Sequence, residues 1–190
     1  MSAGVRSGIA SRHAAAVVIV DVQEKLMPTI RDRERLERRI VQLLRGAKIL
    51  GLPALVTEQY KKGLGGTVAA VAEAAAGARF LEKTTFSCLG DAAFAAALRD
   101  SGRTQVIVAG VEAHICVLQT CLDARSLGLE VYLAADAIGT RLEHTLAIGV
   151  DRAKQSGAWV TSVEGVLFEC MERCDSDAFK AMLPLVRDGV

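Results

Sequence analysis

Short runs of apolar, β-branched residues alternate along this chain with segments whose apolar positions recur every three or four residues. The first run, Ala14 to Val20, contains no polar residue and stops at Asp21. That pattern predicts a strand buried on both faces of a parallel sheet. Leu36, Ile40, Leu43, Leu44, Ala47 and Leu50 then follow at helical spacing, and Gly51 closes the helix. Pro53–Thr57 reads as a second strand, Arg79–Glu82 as a weaker third and Asp91–Arg99 as a helix. Gln105–Ala109 is the strongest central strand and runs directly into a helix from about Ile115 to Leu127, ended by Gly128. A strand at Glu130–Ala135, a helix through Leu142, Leu146, Val150 and Ala153, and a short strand at Ala158–Thr161 come next. Val163, Val166, Leu167, Cys170 and Met171 mark a tail helix, and a second one follows Ser176. Strands alternating with helices imply right-handed crossovers and a mainly parallel sheet covered on both faces.

At 190 residues the chain fits one domain with a sizeable core. No repeat, low-complexity segment or linker divides it, so residues 1–13 read as a flexible N-terminus and 14–190 as a single domain. The segment Arg31–Arg39 interleaves five arginines with three acidic residues and reads as a loop and solvated helix face. Net charge is +1, which gives no support to a nucleic-acid surface. No stretch approaches the roughly 18 apolar residues of a membrane span, and Met1–His13 lacks the pattern of a secretory signal. The five cysteines, Cys88, Cys116, Cys121, Cys170 and Cys174, are an odd number without a disulfide framework, so reduced thiols and a cytoplasmic location are expected. Cys170 and Cys174 read as core positions on one face of the tail helix.

Ligands of open parallel sheets bind beyond the carboxyl ends of the strands, where strand order reverses. The polar residues just past the first, third and fourth strands are Asp21 with Gln23, Glu82 with Lys83, and Glu112 with His114 and Cys116. These distant positions are therefore expected to converge at one edge. A thiol where a strand turns into a helix meets the positive end of the helix dipole, which predicts a lowered pKa for Cys116. Nearby backbone N–H groups suit an oxyanion. Asp21 can take the thiol proton and return it to a leaving group, and Lys83 favours the charged forms of both.

The segments VVIVDVQEKLMP (17–28), EKTTFSCL (82–89) and VIVAGVEAHICVLQTCLDA (106–124) resemble, in order and spacing, the three signature regions of the isochorismatase-like cysteine hydrolases. The likeness is strongest to the isochorismatase domain-containing proteins, where GVEAHICV is typical, and it covers nearly the whole chain after residue 13. The resemblance implies a Rossmann-like three-layer α/β/α sandwich with a six-stranded parallel sheet. It also implies Asp21, Lys83 and Cys116 as catalytic residues, a cis peptide between Val111 and Glu112, an oxyanion hole from the N–H groups of Glu112 and Cys116, and a homo-oligomer. Family nicotinamidases carry an Asp and several His for a metal after the second strand. The matching stretch TEQYKKGLGG has no His, and His13, His114 and His144 lack metal-ligand spacing. No metal and no organic cofactor are expected.

Gln23, Tyr60, Phe86 and His114 are candidate substrate-binding residues, with Tyr60 in a loop that reads as a mobile gate or an ordinary surface loop. The expected activity is hydrolysis of a C–N bond in a small amide or related acyl compound through a thioester on Cys116. Two alternatives stand beside it: a cysteine-independent hydrolase of an isochorismate-like vinyl ether, and an inactive binding or scaffold protein.

Overall fold

A computed structural model describes residues 8–187. Six strands form one sheet: β1 (Ala15–Val20), β2 (Ala54–Gln59), β3 (Arg79–Lys83), β4 (Gln105–Gly110), β5 (Glu130–Ile138) and β6 (Trp159–Thr161). Their order is β3-β2-β1-β4-β5-β6 and every pairing is parallel. The chain builds outward from β1 to β3, returns to the middle with β4, and builds outward again. Strand order thus reverses between β1 and β4, which leaves a crevice beyond their carboxyl ends.

Eight helices cover the sheet: α1 (Arg33–Leu50), α2 (Lys61–Leu64), α3 (Ala69–Ala74), α4 (Ala92–Asp100), α5 (Leu118–Ser126), α6 (Glu143–Gln155), α7 (Val163–Met171) and α8 (Asp177–Arg187). The two-residue period of β1 sorts its side chains between two cores. Ala15, Val17 and Ile19 pack with Leu36, Ile40 and Leu43 of α1 and with Val166 and Leu167 of α7. Ala16, Val18 and Val20 pack with Phe94 and Leu98 of α4 and with Leu118 and Cys121 of α5. This makes three layers, α/β/α. At Gly46 a side chain would come 2.5 Å from Leu167 Cδ1, so α1 and α7 approach each other closely there.

The described body begins ahead of the boundary at residue 14. Residues 8–13 are held in place: Ala10 N–H donates to Glu169 Oε2 (2.8 Å), Ser11 N–H to Gln105 Oε1 (2.8 Å) and Arg12 to the Leu50 carbonyl (3.1 Å). Residues 1–7 of the expected flexible N-terminus lie outside the described residues. Cys174 also departs from expectation. The helix carrying Cys170 ends at Met171, so Cys170 is buried and Cys174 exposed, and all five cysteines are free thiols.

Candidate active site

Each sheet-end residue is presented by a backbone feature that the local sequence permits. Asp21 follows β1 with φ +55°, a left-handed conformation that Asp tolerates better than β-branched residues do. Lys83 is the last residue of β3. At the end of β4, Gly110 has φ +119° and lies so close to β1 that a Cβ would sit 2.2 Å from the Val20 carbonyl oxygen. Beyond it the Val111–Glu112 peptide is cis, and Ala113–Val117 form a π-helical turn that leads into α5. Such turns are frequent at functional sites. The nucleophile candidate lies inside this turn and not in the first turn of an α-helix.

Asp21 and Lys83 meet in the interior. Asp21 is 0% exposed and Lys83 2%, and Lys83 Nζ donates to Asp21 Oδ2 at 2.7 Å. The ammonium is also held by Gln59 Oε1 (2.6 Å) and by the carbonyls of Thr85 and Phe86 (3.1 Å each). Thr57 Oγ1 donates to Asp21 Oδ1 at 2.8 Å. Its hydroxyl proton being committed there, the Cys88 thiol 3.6 Å away is the donor to Thr57. Cys116 lies close enough to this pair for the charges of both Asp21 and Lys83 to act on its thiol. Sulfur, carboxylate and ammonium thus meet beyond β1, β3 and β4, as the strand-end rule predicts.

The electrostatics differ from the sequence expectation. Burial is the largest influence on Cys116 and the Asp21 charge the next; together they outweigh Lys83 and push the thiol up to about 12. Cys88 is pushed up to about 11, again by burial and then Asp21. Burial and the nearby Asp21 charge thus favour the neutral thiol of Cys116. The helix-end argument for a standing thiolate fails because desolvation of the charged form is the larger effect.

The other candidates separate. Gln23 is not available to a ligand: Nε2 donates to the Gln59 and Gly65 carbonyls (3.0 and 2.7 Å) and Oε1 accepts from the Gln59 N–H (2.7 Å). It is a buried strut between β2 and the loop after it. That loop is pinned at further points, by Glu24 N–H to the Gly66 carbonyl, Lys25 Nζ to the Gly63 carbonyl, and Glu58 Oε1 accepting from both the N–H and the hydroxyl of Thr67. Tyr60 is 53% exposed and its ring lies over Gly63. These bonds tie the loop to the segment that follows β1. Phe86 is 56% exposed at the rim, its carbonyl bound to Lys83. His114 lies toward β5, with Nδ1 3.2 Å from Thr140 Oγ1.

Thr57, Gln59, Cys88 and Thr120 were not singled out from the sequence. Thr57 and Gln59 lie at the carboxyl end of β2, where the same strand-end rule would have found them. Thr120, one turn after Cys116, donates to the Cys116 carbonyl (2.7 Å) and accepts from the Cys88 N–H (3.0 Å). Among the described residues no group of three or more His, Cys, Asp or Glu is placed to hold a metal ion. A separate cleft of about 440 Å³ lies near the Pro53 end of β2, with Lys48, Gly51, Ala75, Ser101 and Arg103 among its walls. It is formed at the carboxyl ends of α1, α3 and α4, where helix dipoles disfavour an anion, and it shares no residue with the cluster around Asp21.

The isochorismatase domain model matches residues 15–165, most of the chain. The chain belongs to the isochorismatase family. An isochorismatase domain-containing protein 2 of Danio rerio is 32% identical over 94% of this chain and 90% of its own length. Among solved structures, one described as a MAR1 ribonuclease from Caenorhabditis elegans is 31% identical, with a TM-score of 0.88 over 94% of this chain and 92% of that one. The YcaC gene product of Escherichia coli, described as an octameric hydrolase of unknown specificity, is 25% identical, with a TM-score of 0.90 over 97% and 93%. Asp21, Lys83 and Cys116 all lie within the matched domain of this isochorismatase-family hydrolase. No helix among its described residues is long and apolar enough to cross a membrane.

Proposed function

We propose that this isochorismatase-family hydrolase cleaves the C–N bond of a small amide or related acyl compound through a thioester on Cys116. The observation that carries the reading is the buried Cys116–Asp21–Lys83 cluster, with Asp21 paired to Lys83 at 2.7 Å and both charges acting on the thiol. A thiol held near 12 presents thiolate on the order of one part in 10⁵ at pH 7, so the proton must leave as sulfur attacks. Asp21 receives it. Sulfur then bonds to the acyl carbon, the carbonyl becomes an oxyanion, and the N–H groups of Glu112 and Cys116 receive it. The N–H of Glu112 suits this role, since none of the loop and turn hydrogen bonds uses it.

Collapse of the oxyanion breaks the C–N bond, and the departing nitrogen takes the proton from Asp21. Water next adds to the thioester and gives a proton to Asp21, which returns it to sulfur as the acid leaves. Atoms and charges balance with no cofactor. The Lys83 ammonium faces the Asp21 carboxyl group as it gains and loses each proton, and Tyr60 and Phe86 offer aromatic surface at the rim. A phosphodiester substrate, suggested by the C. elegans neighbour's description, would call for a cation free to face phosphate, and Lys83 is fully engaged. The octameric E. coli neighbour supports self-association, and free thiols throughout support a reducing location.

Ammonia release from a panel of small amides and ureido compounds tests the proposal. Wild-type turnover of at least one, abolished in Cys116→Ala with the fold intact, is the expected result. Turnover that survives Cys116→Ala or thiol alkylation would overturn it in favour of cysteine-independent chemistry.

A further inference from the structure

Glu112 has its backbone N–H assigned above to the oxyanion, and its side chain is held by separate structure. The residue is 6% exposed, and both carboxylate oxygens are occupied. Oε2 accepts from the Arg141 backbone N–H and from Thr140 Oγ1, at 3.1 Å each, and Oε1 accepts from Arg141 Nε. The partners are near for a topological reason. Between the pairs Val108↔Leu133 and Gly110↔Ile138, five residues of β5 span two of β4. This irregularity brings the end of β5 level with the π-helical turn, one strand spacing of about 4.8 Å away.

Thr140 is buried as well, 3.2 Å from His114 Nδ1 and 2.8 Å from Thr145 Oγ1, and Thr145 Oγ1 is 2.6 Å from the Leu142 carbonyl. Four contacts therefore share two hydroxyl protons: Thr140 with Glu112, His114 and Thr145, and Thr145 with the Leu142 carbonyl. A carboxylate and a carbonyl have no proton to give. An imidazole protonated on Nε2 leaves two of the four contacts without a proton, and one protonated on Nδ1 leaves a single one. His114 thus donates through Nδ1–H to Thr140.

We infer that Thr140 and Arg141, with His114 as a third donor, form a clasp that fixes Glu112 and so aims the oxyanion N–H beside Cys116. The inference rests on the acyl-transfer reading above. On its other side the Glu112 carbonyl accepts from the N–H groups of Ile115 and Val117, so the residue is gripped at both ends while its N–H stays uncommitted. These are positioning residues. Misplacing a reacting group by about 1 Å costs on the order of 10²-fold in rate.

Two reactions of the same thiol separate aiming of the oxyanion hole from general damage. Acylation by p-nitrophenyl acetate develops an oxyanion, whereas alkylation by iodoacetamide is a displacement at saturated carbon and develops none. In the full-length protein, Thr140→Val and Arg141→Met are expected to slow acylation about 10-fold or more. Cys116 alkylation, quantified on its proteolytic peptide, should stay within about 2-fold of wild type, with Thr140→Ser and Arg141→Lys recovering part of the loss. Parallel loss of both reactions, or unchanged acylation, would overturn the clasp. Long-range proton–nitrogen correlation of the His114 ring is expected to show Nδ1–H, with the signal assigned by its absence in His114→Gln; an Nε2–H tautomer would also overturn it. Acylation that persists in Cys116→Ala would instead defeat the acyl-transfer reading, so the two failures are distinguishable.

Discussion

The Asp21–Lys83 pair gives the sharpest energetic prediction. Lys83→Met removes the ammonium from a buried carboxylate 2.7 Å away and strips a partner from Gln59 Oε1 and from the Thr85 and Phe86 carbonyls. Breaking one side of a buried ion pair costs about 3–5 kcal/mol, because the other charge stays desolvated and unpaired. At about 2–4 °C per kcal/mol for a domain this size, the melting temperature should fall by roughly 6–20 °C. Asp21→Asn should be destabilising for the mirror-image reason. The double variant Asp21→Asn/Lys83→Met carries neither charge, so its loss should be smaller than the sum of the single losses by about 2 kcal/mol or more, within the range for residues in direct contact. Urea denaturation of wild type, both single variants and the double variant measures that coupling. Additivity within about 0.5 kcal/mol would show that the two groups do not depend on each other and would refute the reasoning.

Three further outcomes follow from the same contacts. Thr57→Val removes the hydroxyl that donates to Asp21 Oδ1 at 2.8 Å, a bond to a charged acceptor worth about 1.5–3 kcal/mol; kcat should drop while KM holds, with rescue by Thr57→Ser, and an unaltered kcat would count against the role given to Asp21. Because the Cys116 thiol is held up to about 12, its alkylation by iodoacetamide should quicken about tenfold per pH unit from pH 7 to 10, and a plateau near neutrality would reveal a standing thiolate. Gly110→Ala would set a Cβ 2.2 Å from the Val20 carbonyl oxygen at φ +119°, so a stability loss above about 4 kcal/mol is expected, and a melting temperature close to wild type would contradict the close approach of β4 to β1.

Much of this fold was legible because its central strands are buried on both faces. Ala14–Val20 reads as a continuous apolar run and Gln105–Ala109 as one after its first residue, and the strands Ala15–Val20 and Gln105–Gly110 are fully buried in the sheet. The short helices α2 and α3 left no such signature: four residues, Lys61–Leu64, are too few for a period, and Ala69–Ala74 is so rich in alanine that its faces barely differ. The π-helical turn at Cys116 was hidden as well, since helical spacing of apolar residues does not register one added residue.

At the site, the strand-end rule brought Asp21, Lys83 and Cys116 together. Residue type alone misled for Gln23, whose amide is spent on backbone groups 36 and 42 positions away in sequence. Pattern also gives the helix terminus near Cys116 and not the desolvation that outweighs it. Thr140 and Arg141 escaped notice because they reach Glu112 through an irregularity in β5 pairing that only the folded sheet displays.

The most direct measurement is rapid acid quench of the enzyme during turnover of p-nitrophenyl acetate, followed by mass spectrometry of its cysteine peptides. The account predicts one acetyl group on the Cys116 peptide, labile to hydroxylamine, absent in Cys116→Ala and formed more slowly in Asp21→Asn. Steady turnover with no acyl group on Cys116 at any time would contradict it.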